Sequence, residues 1–251
     1  MEKFKKLKYS DFSNFGDSQK QYKDGILTLN LATWDEFHRV VKIFNNNTDY
    51  FWRGQANKDW PLVASFDRPD QNYNESVAKC KNPLNSNERR NKQSIMKWAH
   101  QQHYGERTPL LDWTDDPYVA AHFAFNSDKA EEDRAIYALN RSVQRLLSKK
   151  KQNGKVLSKD RFVKIIDPHL SEMQNVRSES QKSKFTNDLI GIDIKQRVED
   201  LYRRSYEAEE VILAQIIIPA TDRDKCLQFL ESQKITSETL IPDCSDAGKS
   251  G

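Results

Sequence analysis

"EVILAQIIIP", residues 210–219, is an almost unbroken apolar run, rich in β-branched residues and closed by a proline. A strand with one wet face alternates apolar with polar residues, so a run of this kind predicts a central strand covered on both faces. "AIYALN" at 135–140 reads as a second strand, and "YFWRGQ" at 50–55 as a third that ends at Gly54. Helical spacing supplies the cover. "TWDEFHRVVKIF", residues 33–44, sets Trp34, Phe37, Val40, Val41 and Phe44 on one face, with Thr33 and Glu36 placed as a cap. "QSIMKWAHQQHYG" at 93–105 sets Ile95, Trp98, Ala99 and Gln102 on one face and stops at Gly105. A short apolar helix follows behind Asp116 and Pro117, and others are predicted from about 193 to 206 and from about 222 to 233. The charged middle, 141–205, is expected to hold further helices near 142–147 and 160–166, and "ITSETLIPD" at 235–243 a last strand. Residues 69–92 read as a loop with one helical turn near 76–79.

Helices and strands interleave without a regular βαβ rhythm, and no internal repeat is present. This order predicts an α+β fold, a mixed central sheet with flanking helices in a single domain, rather than a doubly wound sheet. The domain is placed at 33–243, after an N-terminal extension at 1–32 and before a flexible tail at 244–251.

The charge balance limits the classes of partner. Forty basic and 37 acidic residues are interspersed along 251 positions and leave a net charge of +3, a weak attraction for nucleic acid. Cys80, Cys226 and Cys244 are odd in number and widely spaced, which suggests neither a disulfide framework nor a zinc site. No apolar stretch approaches the roughly 18 residues of a membrane span, and the basic N-terminus is not followed by an apolar core of signal-peptide type. A cytoplasmic protein with no membrane contact is expected. Its oligomeric state is left open.

Arg53 is the chemically conspicuous residue. It follows Tyr50, Phe51 and Trp52 directly, and burying a guanidinium among aromatics costs several kcal/mol unless an anion or carboxylate meets it. Its planar fork of donors suits phosphate oxygens, and Gly54 beside it leaves the backbone open to a ligand. The competing reading pairs Arg53 with Asp112, at least half-buried behind two leucines, to tie two segments together. His100, His103 and Asp112 are spaced to hold a divalent metal for hydrolysis, although His103 suits equally well an orienting role beside Gly105. Tyr104 and Trp113 are either stacking rings or core anchors. Residues 119–125 read as core, and "LSKKKQNGK" at 147–155 as a solvated loop.

Two segments together resemble the FRG domain, a bacterial and phage family named for an aromatic-Arg-Gly motif. They are "FWRGQ" at 51–55 and "HQQHYGERTPLLDWTDDPYVAAHFAF" at 100–125. In the second, His103, Tyr104, Gly105, Thr108, Leu110, Leu111, Asp112, Trp113, Thr114, Pro117, Val119, Ala120, Phe123 and Ala124 stand at the signature's places. Trp60, Leu62, Ser65, Arg68 and "TLIPD" at 239–243 extend the likeness over roughly 33–243. Pro109 replaces the signature's arginine after the threonine, and Arg107 stands two positions earlier. "RRSYEAEE" at 203–210 replaces a further family stretch. The first motif also resembles the aromatic-Arg-Gly strand of ADP-ribosyltransferases, in which the arginine holds the phosphate side of NAD and a late glutamate opens a strand. Glu207, Glu209 and Glu210 stand before the run at 211–219. In a strand begun there, Glu207 and Glu209 share one face and Glu210 takes the other.

The resemblance implies an enzyme using NAD, by ADP-ribosyl transfer or NAD hydrolysis, in a toxin or phage-defence setting. Arg53, His103 and Glu209 or Glu210 would be its catalytic groups. Arg53, Gly54, Gln55, His103, Tyr104, Thr108, Asp112 and Trp113 would line its nucleotide site, with no metal and an acceptor left open. The competing classes are a nucleotide-sensing module that breaks no bond, and a metal-dependent nuclease.

Overall fold

The run at 210–219 forms the strand that its composition predicts. In the computed structural model the described residues are 6–45, 49–68, 92–103, 106–127, 132–141, 151–152, 155–156, 163–166, 180–188, 192–205 and 209–241. Strands β1 (Lys20–Lys23), β2 (Ile26–Asn30), β3 (Tyr50–Gln55), β4 (Leu111–Thr114), β5 (Arg134–Asn140), β8 (Val163–Ile166), β9 (Ser183–Asp188) and β10 (Leu213–Ile218) build one eight-stranded sheet. Its order is β1-β2-β10-β5-β3-β4-β9-β8. The β2–β10 pair is parallel and every other pairing in the sheet is antiparallel. The fold is therefore α+β with a mixed sheet.

Every residue of β5 is buried, as is β10 except half-buried Ile217, because helices cover the centre of the sheet on both sides. On one side α1 (Trp34–Asn45), α3 (Pro117–Phe125) and α5 (Arg223–Ser232) bring Trp34, Phe37, Val40, Ala120, Ala124 and Leu230 onto Trp52, Ala138 and Ile216. On the other, α4 (Ile194–Ser205) packs Ile194 and Val198 against the layer of Phe51, Tyr137 and Leu213. α2 (Lys92–His103) adds Ile95 and Ala99 to a smaller cluster with Leu110 and Phe185. Asp116 caps α3, its carboxylate accepting from the Tyr118 and Val119 N–H groups, with Pro117 at the first helical position as expected. Glu36 reaches back from α1 to the Ala32 N–H at 2.8 Å, one residue beyond the cap assigned to Thr33.

Several expectations are corrected. Residues 20–30 do not stand outside the sheet. "KQYKDGILTLN" folds as a hairpin whose two-residue turn places Asp24 at φ 47° and Gly25 at φ 85°, the left-handed geometry that Asp-Gly favours. Residues 163–166, expected in a helix, form β8, because β-branched Val163, Ile165 and Ile166 pair with β9, itself unforeseen. The last strand expected at 235–243 is the short helix α6 (Ser237–Leu240). The Thr236 side chain accepts from the Thr239 N–H, a cap that overrides the β-propensity of the run. In "LSKKKQNGK" and the residue that follows it, β6 (Lys151–Gln152) and β7 (Lys155–Val156) pair as a small separate ladder. The helical turns expected near 76–79 and 142–147 and the tail at 244–251 lie outside the described residues. Among the described residues no helix is long and apolar enough to cross a membrane.

Candidate functional site

β3 and β4 meet at Trp52↔Thr114, and the next residues of the two strands do not pair. α3 lies hard against β3 at this point. A Cβ on Gly54 would stand 1.9 Å from the Ala120 carbonyl oxygen and 2.7 Å from the Ala124 nitrogen, so only glycine admits the helix. The separated strands leave a cavity of about 310 Å³. Arg53 and Gly54 reach it from β3, and Asp112, Trp113 and Thr114 from β4. Gln102 of α2, Ala120 and Phe123 of α3, and Gln181 and Ser183 at the start of β9 complete the lining with Trp52. The volume equals roughly ten waters at about 30 Å³ each, at the small end of ligand sites.

Arg53 is the cation of this cavity. One terminal nitrogen donates to the Asp112 carbonyl oxygen at 2.9 Å, taking a backbone acceptor that a continuous β3–β4 ladder would have used. Its Nε–H is buried without a hydrogen-bond partner among the described residues. Burial pushes the guanidinium down from its ordinary value to about 10, with Asp112 opposing and Arg68 reinforcing the shift, so it remains a cation at neutral pH. Arg68 is itself lowered, first by burial and then by Arg107, while Asp112 opposes. Among the described residues two partly desolvated guanidinium groups, Arg53 and Arg68, thus feel the same Asp112 carboxylate.

Asp112, expected at least half-buried, is exposed, and its carboxylate accepts from Gln102 Nε2 at 2.6 Å. The Gln102 carbonyl accepts from the buried Thr108 hydroxyl at 2.6 Å, which fixes the amide's orientation. Thr108 therefore acts behind Gln102 and not in the cavity wall. Trp113 is 3% exposed and donates its indole N–H to Thr186 at 2.8 Å, so it is a wall of the cavity fixed to the core. Gln55 is buried and donates to the Pro61 carbonyl, away from the cavity. Arg107 donates to the carbonyls of Ser65 and Arg68 and does not line the cavity. Gly54 is in place at the lining, but its missing Cβ makes room for α3 rather than for a ligand.

The late glutamates are not brought to this cavity. Gln215 is level with Tyr137 and so with Arg53, which puts Glu210 two strands across and five residues along, on the order of 15–20 Å away. Glu210 is fully buried and its carboxylate meets Lys6 Nζ at 3.0 Å. Glu209 is exposed with φ 65°, and its carbonyl accepts from the Tyr9 N–H. Glu207, Tyr104, Gly105 and the side chain of His103 lie outside the described residues. Among those residues no group of three or more His, Cys, Asp or Glu is arranged to hold a metal.

Gln102, Phe123, Gln181 and Ser183 line the cavity without having been singled out as site residues. Phe123, read as core, is 38% exposed. Helical spacing holds no signal for it, since α3 is apolar all round. Gln181 and Ser183 lie in a polar segment with no periodicity to mark them.

A cavity with an arginine on its lining, between two separated strands, defines an α+β protein with a small polar pocket at the β3–β4 junction. Residues 48–134 match the family model of the FRG domain. The matched segment contributes every cavity residue named above except Gln181 and Ser183. The chain matches no curated protein and no solved structure.

Proposed function

We propose that the cavity binds a phosphate-bearing nucleotide, NAD in the first instance, with Arg53 as the phosphate clamp. The observation that carries this reading is the buried Nε–H of Arg53, a desolvated cationic donor left unmatched beside open volume. A buried donor without an acceptor costs about 1–3 kcal/mol, and a phosphate oxygen placed there removes that cost. Isothermal titration of NAD into the full chain tests it. Binding that falls at least tenfold on Arg53→Ala supports the clamp, and unchanged binding discards it.

The exposed Asp112 carboxylate favours a second, catalytic form of the same reading. Breaking the N-glycosidic bond of NAD releases nicotinamide and develops positive charge on the ribose. A carboxylate beside that charge stabilises it while water or an acceptor nucleophile forms the new bond. Among the described residues Asp112 is the carboxylate of this cavity, oriented by Gln102, which makes ADP-ribosyl transfer or NAD hydrolysis by Asp112 more consistent with the fold than transfer by Glu209 or Glu210. Nicotinamide released by the wild type and lost on Asp112→Asn supports the enzyme. Tight NAD binding without release supports a sensing module. A toxin or phage-defence setting follows from the family resemblance alone.

A further inference from the structure

We infer that Phe123 is the ring platform of the site, so that the cavity selects a nucleoside monophosphate unit, phosphate toward Arg53 and base against Phe123. The inference rests on the phosphate reading above and adds to it the other end of the ligand. Among the described residues only Trp60, Phe123 and Ile241 are large apolar side chains that remain exposed, and of these Phe123 lines the cavity. Its neighbours on α3 show that the exposure belongs to this position. Ala120, Ala121, Ala124 and Phe125 are all 0% exposed, and the alanines let the helix press onto the sheet at Gly54. Phe123 sits one turn beyond Ala120, at the end of the cavity wall that α3 provides. Its ring makes a T-shaped contact with His122, centroids 5.8 Å apart at 78°.

An exposed aromatic ring and a desolvated guanidinium on the lining of one 310 Å³ cavity are a pair of opposite preferences. The ring favours a flat, poorly hydrated partner, and the guanidinium a compact anion. A nucleoside monophosphate carries both at its two ends. A sugar phosphate carries only the second. Ser183 and Gln181 add hydrogen-bonding groups to the same lining, suited to hydroxyls or ring edges. AMP and nicotinamide mononucleotide offer this chemistry from two sources, and a cationic nicotinamide gains further from the aromatic face.

The test titrates the full chain with AMP, nicotinamide mononucleotide and ribose 5-phosphate, using wild type, Phe123→Ala, Phe123→Tyr and Arg53→Ala, each checked for an unchanged unfolding transition. The wild type is expected to bind the nucleotides about tenfold or more tightly than the sugar phosphate, the scale of base–aromatic stacking. Phe123→Ala is expected to erase that preference without weakening ribose 5-phosphate, and Phe123→Tyr to keep it. The stronger of the two nucleotides names the base. A preference that survives Phe123→Ala, while Arg53→Ala still abolishes binding, overturns the ring platform alone. Binding of all three that survives Arg53→Ala overturns the phosphate reading beneath it, and a wild type that binds none of them overturns both.

Discussion

Gly54 and Arg53 are adjacent and answer to different demands. Gly54 is required by the Ala120 carbonyl, which a Cβ would meet at 1.9 Å, well inside any van der Waals contact. Gly54→Ala is therefore expected to push α3 off the sheet, costing about 3 kcal/mol or more and lowering the midpoint of thermal unfolding by on the order of 10 °C. A midpoint within 2 °C of wild type, by about the precision of a scan, would show that α3 can yield. Arg53→Lys keeps the charge but loses the fork and cannot reach both the Asp112 carbonyl and a phosphate. NAD binding is expected to fall about tenfold, read by titration. At this scale much of the site was legible in the sequence. An arginine after three aromatics requires an explanation, and Asp112 beside Trp113 lies in the other motif of the same resemblance. Phe123 was not legible, because in a helix buried on nearly every side, its histidine included, nothing marks which residue a gap between strands will leave uncovered.

Elements place these residues by what they bury. α3 is held at one end by Asp116 and along its length by Gly54, and it meets α6 through His122, whose Nε2 lies 3.4 Å from the Ser237 hydroxyl. Burial lowers the His122 pKa from its usual value near 6.5, with Glu238 opposing. The unfolded chain therefore takes up the proton first. The stability linked to this group is complete above about pH 6.5 and is lost as pH falls toward the lower folded value. His38, also lowered by burial, acts in the same direction. Thermal midpoints are expected to decline from pH 7.5 to pH 5, and His122→Gln to make that decline shallower without removing it. An identical slope in wild type and variant would assign the decline to other groups. α6 and β9 show where local signals mislead. A threonine cap outweighed β-branched residues in α6. β9 is buried with polar residues because Lys184 meets Asp115 at 2.9 Å and Thr186 takes the Trp113 indole, pairings that no local pattern reveals.

The whole molecule is larger than the segment that carries the site. Residues 48–134 contain β3, β4 and the first residue of β5, but not β10, β2 or β9, so a fragment cut to that match exposes both edges of a two-stranded remnant. Removing residues 2–30 is milder but still strips β1 and β2 from the sheet. That truncation is expected to abolish cooperative unfolding in urea, and a sharp transition at the wild-type midpoint would show the hairpin to be dispensable. The Asp-Gly turn that announces this hairpin was present in the sequence. "KQYK" alternates half-buried and exposed positions, as suits a strand at the sheet's edge, and carries no apolar signal of its own. Glu210→Gln removes the charge that meets Lys6 where this segment crosses β10's approach. It is expected to cost about 1–3 kcal/mol in denaturant while leaving NAD binding unchanged. A loss of binding instead would return the late glutamates to the site.

β10, third from last among the helices and strands, slots between β2 and β5 at the middle of the sheet. During synthesis a nascent chain can assemble the strands that flank the cavity, but it waits for residues 213–218 with an open slot at its centre. Closure of the sheet around the cavity is thereby deferred until residues 213–218 have been made.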